Sequence, residues 1–113
     1  MDIPQVTPLN DSETGEMGQS YLATGKQVAL RRWEEPQCGF GVESVRSYEI
    51  VGYVISGTLE LDLHGQVATL RAGDSWLIPS GVPHRYRILE AIVAIEATSP
   101  PARFNERDEP AST

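Results

Sequence analysis

Short apolar segments punctuated by turn residues fill the middle of this chain, and none keeps a helical period over three turns. Residues 27–33 alternate as a strand does. Residues 50–55 are apolar on both faces, so the outer side of that strand needs a cover. The sharpest local signal is the run 58–70. A two-residue turn at His64-Gly65 pairs Leu63 with Gln66, Leu61 with Ala68 and Leu59 with Leu70 on one face. Glu60 with Thr69 and Asp62 with Val67 then share the other face. In that register His64 is a turn residue rather than a ligand, since Gly accepts positive φ and His tolerates it better than most. Residues 85–89 and 91–95 read as two further strands separated by Glu90, which brings the total to about eight, an all-β pattern.

Both ends differ in composition from this middle. Residues 1–19 form a polar, acidic arm with two prolines, and residues 99–113 form a proline-containing, charged tail. One domain over residues 20–98 remains. The chain has 113 residues, 40% of them hydrophobic, enough for one modest core. Cys38 is alone, so no intramolecular disulfide forms, and it reads as a small loop residue. The first residues lack a positive start followed by an apolar run, and no stretch approaches membrane-spanning length. The expectation is a cytoplasmic protein with no membrane partner. Net charge is −7, of which Asp2, Asp11, Glu13 and Glu16 supply −4 before the first cation, Lys26. No basic stripe exists to neutralise phosphates, which argues against a nucleic-acid partner.

Candidate chemistry centres on residues 73–84, Gly73-Asp74-Ser75-Trp76-Leu77-Ile78-Pro79-Ser80-Gly81-Val82-Pro83-His84. This stretch resembles the second signature of the cupin family, G-x5-P-x-G-x2-H-x3-N, at every position but the last, where Ile88 replaces Asn. The resemblance covers roughly residues 26–98. It implies a single cupin-type jelly-roll β-barrel with His84 on the wall of a cavity. If His84 faces inward, alternation carries Tyr86 and Ile88 to the same face and turns Arg85 and Arg87 outward. Trp33, Trp76, Tyr48, Tyr53 and Tyr86 read more readily as core residues than as a ligand platform, although Tyr86 shares the face of His84.

The family's first signature typically reads H-x-H, three or four residues, E, six residues, G. Anchoring its end on residues 53–57 places Ser44 and Arg46 in the histidine slots and Ile50 in the glutamate slot. Slipping by one residue brings Glu49 into the acid slot but leaves Glu43 and Val45 where histidines belong. The chain has two histidines in all, so His84, Glu49 and Glu43 offer one imidazole and two carboxylates at most. A tight transition-metal site wants three or four protein ligands, so any divalent metal is expected to be weakly held. Arg46-Ser47-Tyr48-Glu49 instead resembles the R-x-Y-E-x-x-G-Y-V variant of some small stand-alone bacterial cupins. There Arg46 would offer fixed positive charge to a carboxylate or phosphate. The other reading is a surface Arg46–Glu49 pair, and alternation puts these two on opposite faces unless a bulge intervenes.

Three functions follow as expectations. The leading one is a homodimer whose cavity binds a small organic ligand, anions included, through His84, Tyr86, Arg46, Glu49 and Tyr48. The doubly apolar strand supplies the interface through Val51, Tyr53 and Ile55 or their alternates. The second is a small isomerase, epimerase or dioxygenase-like enzyme with His84 and Glu49 as acid/base groups or metal ligands. The third is an oligomerising scaffold with a filled barrel.

Overall fold

Seven strands and one short 3-10 turn account for the regular structure of the computed structural model, which describes residues 3–15 and 17–104. In chain order they are β1 (Glu13–Thr14), β2 (Ser20–Thr24), β3 (Ala29–Glu35), β4 (Glu49–Leu63), β5 (Gln66–Arg71), β6 (Ser75–Ile78) and β7 (His84–Ser99). All pairings are antiparallel, in the order β1-β2-β3-β7-β4-β5, with β6 against the first half of β4. The result is an all-β jelly roll whose sheet does not close on itself.

The β4–β5 hairpin has the register that the sequence dictates: Leu63 opposite Gln66, Leu61 opposite Ala68 and Leu59 opposite Leu70. His64 takes φ 55° and Gly65 φ 91°, the geometry of a turn whose twist matches its strands. Asp62 Oδ1 accepts from the Gly65 N–H at 2.9 Å, closing the turn with a side chain.

The two strands expected at 85–89 and 91–95 are one. A single intervening Glu90 cannot end a strand whose neighbour continues, and its carboxylate accepts from Thr58 Oγ1 of β4 at 2.8 Å. What the sequence reads as a break is a corner. Gly57 sits there at φ 89°, and a Cβ on it would come within 2.1 Å of the Ala91 carbonyl oxygen. The β4–β7 register shifts between Val54 and Leu59 around that point. Long strands that bend once serve both layers of the jelly roll, which is why seven suffice.

Cross-strand rows define the two sides of the sheet. Ala29, Thr98, Ile50 and Ile78 form one buried row across β3, β7, β4 and β6. Arg31, Glu96, Gly52 and Trp76 form the next, and the large side chains Tyr48, Leu59, Leu61, Ile88 and Ile92 complete the core. On the opposite face Leu30, Ala97, Val51 and Leu77 line up across the same four strands, beside Arg32, Ile95, Tyr53 and Ser75. Val51, Tyr53, Ile55 and Leu77 are each about half exposed, so this face carries an apolar stripe that none of the described residues covers.

The sheet reaches into the expected amino-terminal arm, because β1 lies within residues 1–19 and pairs with β2. Its Glu13 is ion-paired with Arg103 of the tail. Ala102 is buried, and its N–H donates to Thr98 Oγ1 at 3.0 Å. Asp2, Glu16 and residues 105–113 lie outside the described residues. No helix among the described residues is long and apolar enough to cross a membrane.

Candidate ligand cavity

The turn before β7 builds one wall of a cavity. Val82 N–H donates to the Pro79 carbonyl at 3.3 Å and Gly81 N–H to the Arg46 carbonyl at 2.8 Å, which docks the turn on the segment preceding β4. His84 then exchanges both backbone hydrogen bonds with Ser44, at 2.8 and 2.9 Å. Further along, Gly41 N–H donates to the Tyr86 carbonyl, and Cys38 and Ile88 again exchange both bonds. Residues 38–46 therefore run beside the first half of β7. Ser44, Arg46, His84 and Tyr86 come to line one cavity of about 290 Å³.

His84 and Arg46 are both buried, and Tyr86 is half-buried. His84 Nδ1 lies 3.0 Å from the Val82 carbonyl oxygen, which fixes the ring's orientation. Its ring meets Tyr86 edge-on at 5.8 Å, and Tyr86 leans on Trp33 at 5.0 Å. Arg85 and Arg87 point to the other face as alternation requires. They pair with Asp62 and Glu60 and flank the Phe40 ring at 4.4 and 5.0 Å, with Arg85 also reaching the cavity rim. The Arg85 hydrogen bond to Asp62, helped by the Gly65 N–H, holds the Asp62 carboxyl below its usual 3.8 against the cost of burial.

Several cavity residues escaped the sequence reading, among them Arg31, Glu96 and Glu35. Arg31 Nε donates to Glu96 Oε1 at 2.9 Å, its Nη1 to the Tyr48 hydroxyl at 3.2 Å, and the Tyr86 hydroxyl donates to Glu96 Oε2 at 3.1 Å. This buried network lines the cavity beside Trp33. Burial, together with the Glu96 charge, pushes the Tyr86 hydroxyl well above 10.0, opposed by Arg31. Tyr86 thus stays a neutral donor. The signal was available in the sequence. Alternation from Ala29 turns Arg31 inward, and alternation from Ile92 through Ala94 carries Glu96 to the same side.

Glu49 is exposed, on the face opposite Tyr48 and Ile50, because no bulge interrupts alternation between Arg46 and Ile50. It lies outside the cavity, so the expected pairing of His84 with Glu49 does not form. Glu43 is exposed as well, and Tyr48 sits behind the wall, in contact with Arg31 rather than lining the cavity. Among the described residues no three of His, Cys, Asp and Glu stand together as a metal cluster. The donor set around His84 does not fit a tightly held transition metal.

The amino-terminal side contributes to the cavity lining as well. Met17, in the turn between β1 and β2, brings its Sδ to 3.3 Å from Arg46 Nη2, and the buried Gln19 lies beside it.

A jelly roll with a histidine of the second signature facing its cavity defines a cupin. The cupin-domain family profile matches residues 35–97, and the chain belongs to the cupin family. No curated protein matches it. Among solved structures it is similar to an RmlC-like cupin from Shewanella frigidimarina, with a TM-score of 0.75 at 20% identity over 87% of this chain and 92% of that one. KdgF from a Halomonas species has a TM-score of 0.75 at 21% identity, over 87% and 94%. The EutQ protein of Clostridium difficile has a TM-score of 0.66 at 21% identity, over 74% and 61%. At these identities the likeness concerns the fold.

Proposed function

We propose that this cupin is a homodimeric binding module that holds a small organic anion in its cavity without a tightly bound metal. The observation that carries this reading is Arg46, a buried guanidinium on the cavity wall where a metal-binding cupin would present histidine. A fixed cation in a low-dielectric pocket favours a carboxylate or phosphate. The volume, about 290 Å³, lies at the small end of ligand sites, and the wall mixes aromatic carbon with a few oriented polar groups, as such sites do. An open cavity also speaks against a scaffold with a filled barrel. Acid/base catalysis by His84 with Glu49 lacks support, since the two side chains lie on different sides of the wall.

A thermal-shift screen of small organic anions tests the proposal. Wild type is expected to give hits that raise its melting temperature. Arg46→Met and His84→Ala are expected to lose them, while His84→Ala costs only about 1 kcal/mol of stability for its hydrogen bond to Val82. Hits that survive in both variants, or stoichiometric iron, manganese, nickel or zinc in purified protein, overturn it.

A further inference from the structure

Building on that binding role, we propose that the ligand is a small 2-hydroxycarboxylate with an apolar tail. His84 supplies the discriminating observation. The Val82 carbonyl can only accept a hydrogen bond, so Nδ1 is the donor in their 3.0 Å contact. In the neutral ring Nε2 is then an acceptor. The side chain is buried and lines the cavity, and no hydrogen bond from the described residues reaches Nε2. Nε2 is open to the cavity, so a ligand that covers it displaces water from this acceptor and is selected for bringing a donor of its own.

Arg46, on the same wall, selects a negative charge. One of its contacts is the Met17 thioether at 3.3 Å, a weak acceptor that a carboxylate oxygen would replace with a stronger, charge-assisted bond. Ser44, paired with His84 in the backbone ladder and two residues before Arg46, lines the cavity too, and its hydroxyl makes no hydrogen bond to the described residues. A ligand must therefore place an anion and a neutral donor within reach of one short stretch of wall. A hydroxyl on the carbon bearing the carboxylate does that. An ammonium in its place would bring positive charge up to Arg46. The Trp33 and Tyr86 rings, with Met17 and Val42, offer the remainder of the molecule apolar contact, beside the Arg31–Glu96 pair and Glu35, which line the same cavity.

Titration calorimetry of the full chain with four matched probes tests this. Mandelate carries both groups, phenylacetate lacks the hydroxyl, 1-phenyl-1,2-ethanediol lacks the carboxylate, and phenylglycine replaces the hydroxyl with an ammonium. Mandelate is expected to bind at least about tenfold more tightly than each of the others. In His84→Phe, checked for folding by circular dichroism, mandelate and phenylacetate are expected to bind equally. Equal affinities for these two in wild type, or tighter binding of phenylglycine, overturn the hydroxyl assignment and leave the anion-binding role standing. Equal binding of the diol and mandelate, or no binding of any probe at millimolar concentration, overturns both.

Discussion

Asp62 follows strand alternation onto the polar face of the β4–β5 hairpin, yet it is buried and accepts from both Arg85 and Gly65. Its folded-state value lies below the ordinary 3.8, so it stabilises the fold above 3.8, and that contribution is lost as pH falls through the lowered value. Asp62→Asn is therefore expected to unfold at a lower temperature than wild type at neutral pH, with the gap closing in acid. Melting curves across pH check this, and a gap that persists below the lowered value would contradict the assignment.

At the scale of elements, the corner between the two layers depends on Gly57. Two effects coincide there: a φ of 89° and a carbonyl oxygen where a Cβ would sit. Gly65 has a similar φ of 91° with open space around it, which makes it a natural comparison. Gly65→Ala is expected to cost about 1 kcal/mol, the usual cost of left-handed backbone for a residue with a Cβ. Gly57→Ala is expected to cost at least about 2 kcal/mol more, because the Ala91 backbone must also move. Urea denaturation measures both, and equal costs would remove the close approach from the account of the corner. The same corner explains why two expected strands proved to be one. A bend inside a strand and a break between strands look alike when the only signal is a polar residue such as Glu90.

Across the sheet, the outer face of β3, β7, β4 and β6 is an apolar surface that none of the described residues covers. Leu30, Ala97, Val51 and Leu77 cross it in one row, with Tyr53 and Ile95 in the next. A second copy of the chain would cover it symmetrically, since one patch can meet itself across a two-fold axis. Light scattering at micromolar concentration is expected to give twice the 12.4 kDa mass of one chain. Tyr53→Glu, at a half-exposed position, is expected to give the mass of one chain while keeping the β-type circular dichroism spectrum. A wild-type mass of one chain would sink the dimer.

Features that depend on neighbours along the chain were legible before any folding. The hairpin register follows from period-two alternation around His64-Gly65, and the placement of His84 and Tyr86 on the cavity side with Arg87 opposite follows from the same period, whereas Arg85 also reaches the cavity rim. Cupin membership was legible in the spacing of Gly73, Pro79, Gly81 and His84, because turns fix that spacing locally. Only the tertiary structure decided which polar groups meet. Alternation leaves Arg46 and Glu49 distinguishable but does not say which one faces the cavity, and Arg31 finds Glu96 across a strand pair 65 residues apart. That meeting depends on β3 and β7 being neighbours, and pairing between distant strands is set by how the whole sheet folds over its core, which no local pattern encodes.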